Sequence, residues 1–309
     1  MYCSSGFEAS RHLPRASIGR VGRVTAADGP SLAVVVSTYE WPEALDAVLR
    51  SLFEQSDSSF DVVVADDGSG PETRTVAERW GAAFGKRLAY VWQPDLGYRL
   101  ARVRNLGALT ATSEFLMLID GDCVPRRHFV RAVRACAMPG WFIATNRVSV
   151  SPASTERILA SRTRIHHWSL ARWLTSGAAG ISELAMLTPR DRRKVGRRNV
   201  PEFSPRGNAF CCVGVASADF EAVNGYDGRY VGWGDEDVDL VVRLRRLGLR
   251  CGHAGPQATP IHLWHASREV RERGNWWLLE ETKGSNRIRA IEGLSALVTE
   301  PSSAGELDG

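Results

Sequence analysis

The sequence predicts an α/β fold in which parallel strands are joined by helical crossovers. Four short apolar runs follow one another in the first half of the chain, at residues 32–36, 62–65, 88–92 and 115–119. The segments between them have helical patterns: after Pro42, apolar residues recur at the i, i+3, i+4 spacing of an amphipathic helix. This alternation is typical of parallel strands with helices between them.

The sequence pattern after residue 99 indicates how the chain is divided into segments. Residues 99–110 predict another helical crossover. From residue 151 to 206 the strand rhythm stops and arginines outnumber acids, which indicates a basic insertion or arm. After residue 207 the pattern becomes compact again, with an apolar run at 211–215 and a helix at 236–247. We therefore predict five segments: a disordered N-terminus (1–30), a strand-rich part (31–150), the basic insertion (151–206), a second compact part (207–299) and a disordered tail (300–309).

Composition narrows the class of protein. With 309 residues, 44% of them hydrophobic, the chain can bury a large core. A net charge of +4 is too small, without a clustered patch, to predict nucleic-acid binding. The six cysteines form no CxxC pair and no zinc-finger spacing. With no apolar stretch of signal-peptide or membrane-span length, we expect a cytoplasmic protein with reduced thiols.

Carboxylates follow three of the predicted strands. The segments are STYE at 37–40, DDGS at 66–69 and DGD at 120–122. In open parallel sheets, ligands bind beyond the carboxyl ends of the strands, so these segments are the first candidates for chemistry. A D-x-D after a buried strand suits a cation that bridges two phosphates, whereas surface turns use the same residues. For DDGS, an Asx-type turn and a ligand contact both remain open.

Two arginines on the third crossover are candidates for phosphate binding. Arg99 and Arg104 lie in the segment that follows the run at 88–92. A guanidinium placed there would stabilise an anionic phosphate, whereas the simpler interpretation is a solvated helix face.

These motifs, taken in order, resemble a known family. VVVSTYE, VVVADDGSG, QPDLGYRLARVRNLGA and FLMLIDGDCVP resemble family 2 glycosyltransferases of the type-A fold. The later segment FEAVNGYDGRYVGWGDEDVDLVVRLRRLG resembles the C-terminal portion shared by β-1,4-galactosyltransferases and bacterial chondroitin-type polymerases. The resemblance covers roughly residues 31–265 and leaves the basic insertion largely unmatched. It implies a Rossmann-like nucleotide-binding sheet (31–150) fused to a smaller acceptor-binding and catalytic part (207–299).

The resemblance also implies roles for particular residues. The donor-binding set is Thr38, Glu40, Asp66, Asp67, Arg99, Arg104, Asp120 and Asp122, with Asp66 the weaker member of the uridine pocket. A divalent ion, Mn²⁺ or Mg²⁺, would be held by Asp122 and His265, with His262 as a further ligand. Acceptor contacts would come from Trp233, Gly234, Asp235 and Glu236. Asp237 would be the general base, with Glu236 beside it.

The implied reaction is the transfer of a sugar from a UDP-sugar to a hydroxyl-bearing acceptor, with inversion. The acceptor stays open between a glycan, a lipid-linked sugar and a small natural product. A nucleotidyltransferase would need a Gly-rich phosphate loop with a lysine after the first strand, which is absent. A non-catalytic nucleotide-sugar-binding protein is the other alternative, and the acidic pair at 236–237 argues against it.

The basic insertion and one motif position stand apart. In the insertion, His166, His167, Trp168 and Trp173 lie among arginines and are candidates for peripheral contact with a membrane or with a polyanionic acceptor. The simpler interpretation is a solvated surface. In the Trp-Gly-Gly-Glu-Asp motif of the family, the third position is Asp235 here, which adds charge beside the expected base.

Overall fold

The fold is described from a computed structural model of the chain. It describes residues 29–180, 184, 187, 212–252, 254–266 and 274–299. The tail expected to be disordered (300–309), the N-terminus up to residue 28, and most of 181–211 lie outside the described residues.

A seven-stranded sheet forms the centre of the molecule. Its strands are β1 (Leu32–Thr38), β2 (Asp61–Asp66), β3 (Leu88–Trp92), β4 (Phe115–Asp120), β6 (Trp141–Thr145), β8 (Cys212–Ala216) and β9 (Arg250–Gly252). Their order is β3-β2-β1-β4-β8-β6-β9. The four strands predicted from the sequence are parallel to one another, as expected. Strand β8 runs antiparallel to both of its neighbours, a direction that its apolar run alone did not indicate.

Ten helices surround this sheet in the described part of the chain. They are α1 (Pro42–Phe53), α2 (Pro71–Phe84), α3 (Leu100–Thr110), α4 (Phe129–Arg134), α5 (Pro152–Ala160), α6 (Leu170–Ser176), α7 (Ser217–Ala222), α8 (Glu236–Arg246), α9 (Trp276–Gly284) and α10 (Leu294–Thr299). Short 3-10 turns lie at Gly85–Arg87, Ile165–His167 and Pro256–Ala258. Pro42 and Pro71 stand at the first turns of α1 and α2, where their missing N–H groups cost nothing.

The core has one layer on each face of the sheet. Successive residues of β1 alternate between the layers: Leu32, Val34 and Val36 pack with α1 and α2, while Ala33 and Val35 pack with α3 and α8. All seven residues of β1 are buried, as a strand covered on both faces requires. Burial on both faces of the sheet therefore explains why the strand appears in the sequence as a continuous apolar run.

A second, three-stranded sheet lies next to the first. It consists of β5 (Cys123–Val124), β10 (Ile261–His262) and β7 (Val148–Ser149), in that order. Strand β10 pairs antiparallel to β5 and parallel to β7. This small sheet brings the late histidines of the chain beside the end of β4.

The described part of the basic segment packs against the core. Trp173 is fully buried and lies edge-on to Trp168, with ring centroids 4.9 Å apart, and Ile158 and Ile165 join the core of the α1 face. His166 is buried as well. Residues 151–178 therefore form a packed layer, in contrast to the expected arm, and neither Trp173 nor His166 is available to an outside surface. In the described residues, no helix has the length and apolar character needed to cross a membrane.

The close contact between α3 and the sheet generates a stability prediction. A Cβ added at Gly107 would lie 2.5 Å from Cγ1 of Val35 and 3.1 Å from Cβ of Ala65. We expect Gly107→Ala to lower the free energy of unfolding by about 1–3 kcal/mol through overpacking. The matched control is Gly81→Ala on α2, where the added Cβ meets Leu88 only at 3.9 Å. That change should raise stability by about 0.5–1 kcal/mol, because glycine is a poor helix former. Urea unfolding of both variants tests the contrast, and equal effects would contradict it.

Candidate active site

The register of the parallel strands brings three carboxylate-bearing segments to one edge of the sheet. Thr38 at the end of β1 is paired with Asp66 at the end of β2, and Ser37 is paired with Asp120 at the end of β4. The carboxyl edge of an open parallel sheet is where ligands bind. The segments singled out in the sequence therefore line one candidate site.

Hydrogen bonds of Glu40 connect the loop after β1 to the loop after β2. The backbone of Glu40 has a positive φ of 47°, uncommon for a residue with a side chain. The Glu40 N–H donates to Oγ of Ser69 at 2.8 Å, and its Oε1 accepts from the N–H of Gly70 at 2.7 Å. Strained backbone of this kind persists where surrounding contacts hold it, often at functional sites.

Asp66 holds the turn at the end of β2. Its Oδ1 accepts from the N–H groups of Gly68 and Ser69, and its Oδ2 accepts from the hydroxyl of Tyr90 at 2.7 Å. The side chain is fully buried. Both oxygens of Asp66 are therefore used within the fold, as in an Asx-type turn, and its contact with the donor stays a prediction.

Asp67 connects the second strand to the start of α3. Its Oδ2 accepts from the backbone N–H of Arg99 at 2.8 Å, and its Oδ1 accepts from the side-chain amide of Gln93. Burial raises the pKa of this carboxyl group. The Arg99 guanidinium donates to the carbonyl of Pro94. Asp67 therefore positions the residue that directly precedes α3, the helix that carries Arg104.

Arg104 lies at the centre of the site. Its guanidinium is buried and makes ion pairs with Asp120 (Nη2 to Oδ1, 2.6 Å), Asp237 (Nη1 to Oδ1, 2.9 Å) and Glu236 (Nη1 to Oε1, 3.5 Å). It also lies over the ring of Tyr226, 5.1 Å from the centroid. From the sequence we expected Arg104 near donor phosphate. In the structure three carboxylates surround the cation, and contact with phosphate stays a prediction.

Two residues that the sequence analysis did not assign complete this network. The Tyr226 hydroxyl donates to Oδ1 of Asp237 at 2.9 Å. Asn105 clamps the backbone of Tyr226, donating to its carbonyl at 2.8 Å and accepting from its N–H at 2.9 Å. Both lie within the motifs that carry the family resemblance, but a tyrosine or asparagine there has no distinguishing spacing. Together they orient Asp237.

The adjacent acids at the start of α8 have different environments. The side chain of Glu236 is 9% exposed, while that of Asp237 is 20% exposed. Burial, and then the nearby charge of Asp237, raise the pKa of Glu236 to about 7. A carboxyl group with a pKa near neutrality is common at catalytic sites. Of the two, Asp237 is the more accessible to a second substrate.

The loop before α8 needs unusual backbone conformations. Gly232, Gly234 and Asp235 have φ values of 85°, 107° and 71°. Asp235 stands where the family motif has glycine, and its left-handed φ gives a physical reason for that preference. Trp233 is exposed on this loop. The Asn275 side chain is placed 3.3 Å from the carbonyl of Gly232, to which it donates.

A candidate metal centre lies at the D-G-D turn. Oδ2 of Asp122 is 3.5 Å from Nε2 of His262 and 3.3 Å from Nε2 of His265. The pairing of β5 with β10 causes this: the Leu263 N–H donates to the carbonyl of Asp122 at 2.9 Å. Burial lowers the pKa of His262 to about 4, so its ring is neutral, as a metal ligand must be. Two imidazoles and a carboxylate can hold a divalent cation.

The D-G-D turn needs a glycine at its centre because the backbone there lies very close to the end of β1. A Cβ on Gly121 would lie 2.8 Å from the carbonyl oxygen of Ser37 and 3.1 Å from Cβ of Thr38. The Gly121 N–H donates to that same carbonyl at 2.7 Å. The turn is thereby held against the end of β1, with Asp120 directed to Arg104 and Asp122 to the histidines.

The raised pKa of Glu236 generates a prediction about stability. Because its pKa is about 7 in the folded protein against 4.5 in the unfolded chain, the folded state binds more protons between these values. Stability from this group is therefore present at low pH and is lost as pH rises towards 7, by at most about 1.4 kcal/mol per pH unit. Glu236→Gln should remove this slope. Thermal melts of both proteins at pH 5 to 8 test it, and parallel curves would contradict it.

Comparison with known proteins divides the chain near residue 200. The family model of glycosyl transferase family 2 matches residues 33–200, and the one described as the N-terminal domain of galactosyltransferase matches residues 200–265. The first family match therefore includes residues 151–200, most of the basic insertion that the resemblance had left unmatched. Validoxylamine A glucosyltransferase of Streptomyces hygroscopicus subsp. jinggangensis is 30% identical over 229 residues, 71% of this chain and 52% of that protein. Chondroitin synthase of Pasteurella multocida is 35% identical over 231 residues, 70% of this chain and 23% of that protein. The chain thus spans about half the length of the first of these relatives, and less of the second.

Solved structures share the fold. The mannosyltransferase PcManGT from Pyrobaculum calidifontis, in complex with GDP-Man and Mn²⁺, superposes with a TM-score of 0.52 at 18% identity, covering 82% of this chain and 61% of that one. S. aureus TarS in complex with UDP gives a TM-score of 0.51 at 15% identity, covering 75% and 60%. Since the first family match alone spans more than half of the sequence, the chain belongs to glycosyl transferase family 2 and has the type-A fold.

Proposed function

We propose that this protein is an inverting glycosyltransferase that moves a sugar from a UDP-sugar to a hydroxyl-bearing acceptor with the help of a divalent metal. One observation carries the proposal: Arg104 joins Asp120 of the D-G-D turn to Asp237 at the start of α8. A carboxylate able to take a proton is thereby held beside the turn that offers metal ligands. A reaction in which an acceptor hydroxyl displaces a diphosphate from a sugar needs the base and the metal ligands to lie this close together.

The metal set consists of Asp122, His262 and His265, with Mn²⁺ or Mg²⁺ as the ion. When bound, the ion would neutralise the charge that develops on the departing diphosphate. The neutral ring of His262 and the convergence of three ligand atoms support this assignment. PcManGT, a structural neighbour, was solved with Mn²⁺ and a nucleotide sugar.

Asp237 is the proposed general base. Hydrogen bonds from Tyr226 and Arg104 to its Oδ1 fix the orientation of the carboxylate. At the N-terminus of α8, the helix dipole also favours its ionised form. Asp237 would take the proton of the acceptor hydroxyl while that oxygen attacks the anomeric carbon opposite the diphosphate, which inverts the linkage. Glu236, buried beside it, would position the acceptor hydroxyl.

The two substrates would occupy opposite sides of this carboxylate network. Thr38, Glu40 and Asp67, at the ends of β1 and β2, are the proposed contacts of the uridine. The loop that carries Trp233, Gly234 and Asp235 would bind the acceptor, and an exposed tryptophan offers an apolar face to a sugar ring. One relative is named validoxylamine A glucosyltransferase, which supports the transfer of a sugar to a separate acceptor.

Metal-dependent binding of the donor is the first prediction from this proposal. UDP should bind more tightly with Mn²⁺ than without it, and His265→Gln should remove most of that difference because one metal ligand is lost. Calorimetric titration of UDP and a panel of UDP-sugars measures it. Asp219→Asn on α7, remote from the site, is the control and should leave the metal effect intact. Failure of every uridine nucleotide to bind with metal would contradict the UDP assignment.

The identity of the base is tested by a pair of variants. Asp237→Asn should lower kcat by about 10²–10⁴-fold while leaving UDP-sugar binding almost unchanged, since the amide cannot accept the proton. Glu236→Gln should weaken acceptor binding and leave a measurable rate. UDP release and the anomeric configuration of the product, read by NMR, are the measurements. Retained transfer in Asp237→Asn would exclude it as the base, and a retained configuration would exclude the inverting reaction.

A further inference from the structure

A second group of metal-ligating side chains lies away from the D-G-D turn. It forms where the end of α1 meets the 3-10 turn Ile165–His167. Oε2 of Glu54 lies 3.0 Å from Nε2 of His166 and 2.8 Å from Nε2 of His167, and all three ligand atoms fall within 4.8 Å of one another. Since a carboxylate can only accept, both imidazoles direct Nε2 at the same oxygen.

We propose that Glu54, His166 and His167 form a zinc site that connects the end of α1 to the 3-10 turn of the basic segment. Two imidazoles and one carboxylate are a common ligand set for Zn²⁺. In a tetrahedral site with bonds of about 2.0–2.1 Å, ligand atoms lie about 3.3 Å apart. The two observed N···O distances are a few tenths of an ångström shorter. Small side-chain rotations would therefore admit the ion between the three atoms.

For His166 and Glu54, the direction of the pKa shift favours the form that binds a metal. Burial lowers the pKa of His166, so its ring is neutral at pH 7. Partial burial raises the pKa of Glu54, but hydrogen bonds from His166 and His167 outweigh it, and the pKa lies below its usual value. The carboxylate and the buried imidazole can thus both offer lone pairs.

The surroundings of the three side chains suit a bound ion that keeps one coordination position open to solvent. His166 is almost fully buried, whereas His167 is 32% exposed and gives the ion a path from solvent and room for a water ligand. Arg164 pairs with the other oxygen of Glu54, Nη2 to Oε1 at 3.2 Å, and so orients the carboxylate. Because the Arg164 side chain is 66% exposed, solvent screens its charge from the ion.

The position of the cluster indicates a structural role. The Arg127 N–H donates to the carbonyl of His166 at 3.2 Å, and the Ser56 N–H donates to the carbonyl of Arg127 at 2.9 Å. Arg127 follows β5, the strand next to the D-G-D turn. A cation here would connect α1 to the turn of the basic segment, and the backbone hydrogen bonds of Arg127 join the chain beyond β5 to both. Since the unfolded chain has no preformed site, binding would stabilise the folded protein.

The test separates this site from the one at Asp122. All proteins carry His265→Gln to weaken the other cluster and are titrated with ZnCl₂ without nucleotide, so the outcome does not depend on the proposed transferase activity. Into this background we would place His167→Gln and, as a matched control, His128→Gln, whose ring hydrogen-bonds to Ser56 outside the triad. Calorimetry gives the affinity and a thermal melt gives the stabilisation.

The background and the His128→Gln protein should bind zinc and melt at a higher temperature with it, while His167→Gln should bind at least about tenfold more weakly. Unchanged binding in His167→Gln, equal loss in both variants, or no zinc binding in the background would overturn the proposal. Glu54→Gln, which keeps the side-chain volume, provides a second variant. Co²⁺ titration gives a readout independent of stability, since the visible bands of a tetrahedral ion should appear in the background protein and be absent from both triad variants.

Discussion

The guanidinium of Arg104 is buried between three carboxylates from two distant parts of the chain, and the candidate site depends on this pairing. Asp120 ends β4, whereas Glu236 and Asp237 begin α8. Each charge would cost several kcal/mol if it were buried alone, so removing any partner leaves an uncompensated group. The ion pairs therefore fix the start of α8 against the D-G-D turn. Two further residues support this pairing through their neighbours. Asp67 fixes the start of α3, and Asn105 fixes the position of Tyr226.

The edge of the sheet could be predicted from sequence because strand ends are visible in the apolar pattern. The three acidic segments and the acidic pair were all placed correctly relative to their elements, and the structure brings Asp122 and the two late histidines together. Arg104 could not be distinguished in the same way, because Arg99 and Arg102 precede it and only the three-dimensional packing shows which arginine enters the core. Asp66 presented a related difficulty, since a turn-holding aspartate and a ligand-binding one have the same local sequence.

The basic segment shows that a segment rich in charged residues can still pack against the core. Its many arginines predicted an exposed arm, yet in the described part of the segment the apolar residues Ile158, Ile165 and Trp173 are buried. Long basic side chains can extend from a packed backbone to solvent, so a high charge count is compatible with burial of the few apolar positions. The glycine of the D-G-D turn is another case. The sequence shows only that a glycine is there, whereas the structure shows that the carbonyl of Ser37 leaves no space for a side chain.

The charge balance of the site explains why adjacent acids can differ in role. Arg104 contributes one positive charge against the negative charges of Asp120 and Asp237, so the network is already negative before Glu236 ionises. The raised pKa of Glu236 is the consequence, because adding a further negative charge in a buried position is unfavourable. A divalent cation at Asp122 would supply the missing positive charge and favour the ionised form of Glu236. In the proposed enzyme, metal loading and the protonation of Glu236 would therefore be linked, and the proposed acceptor loop beside Glu236 would respond to occupation of the proposed metal site.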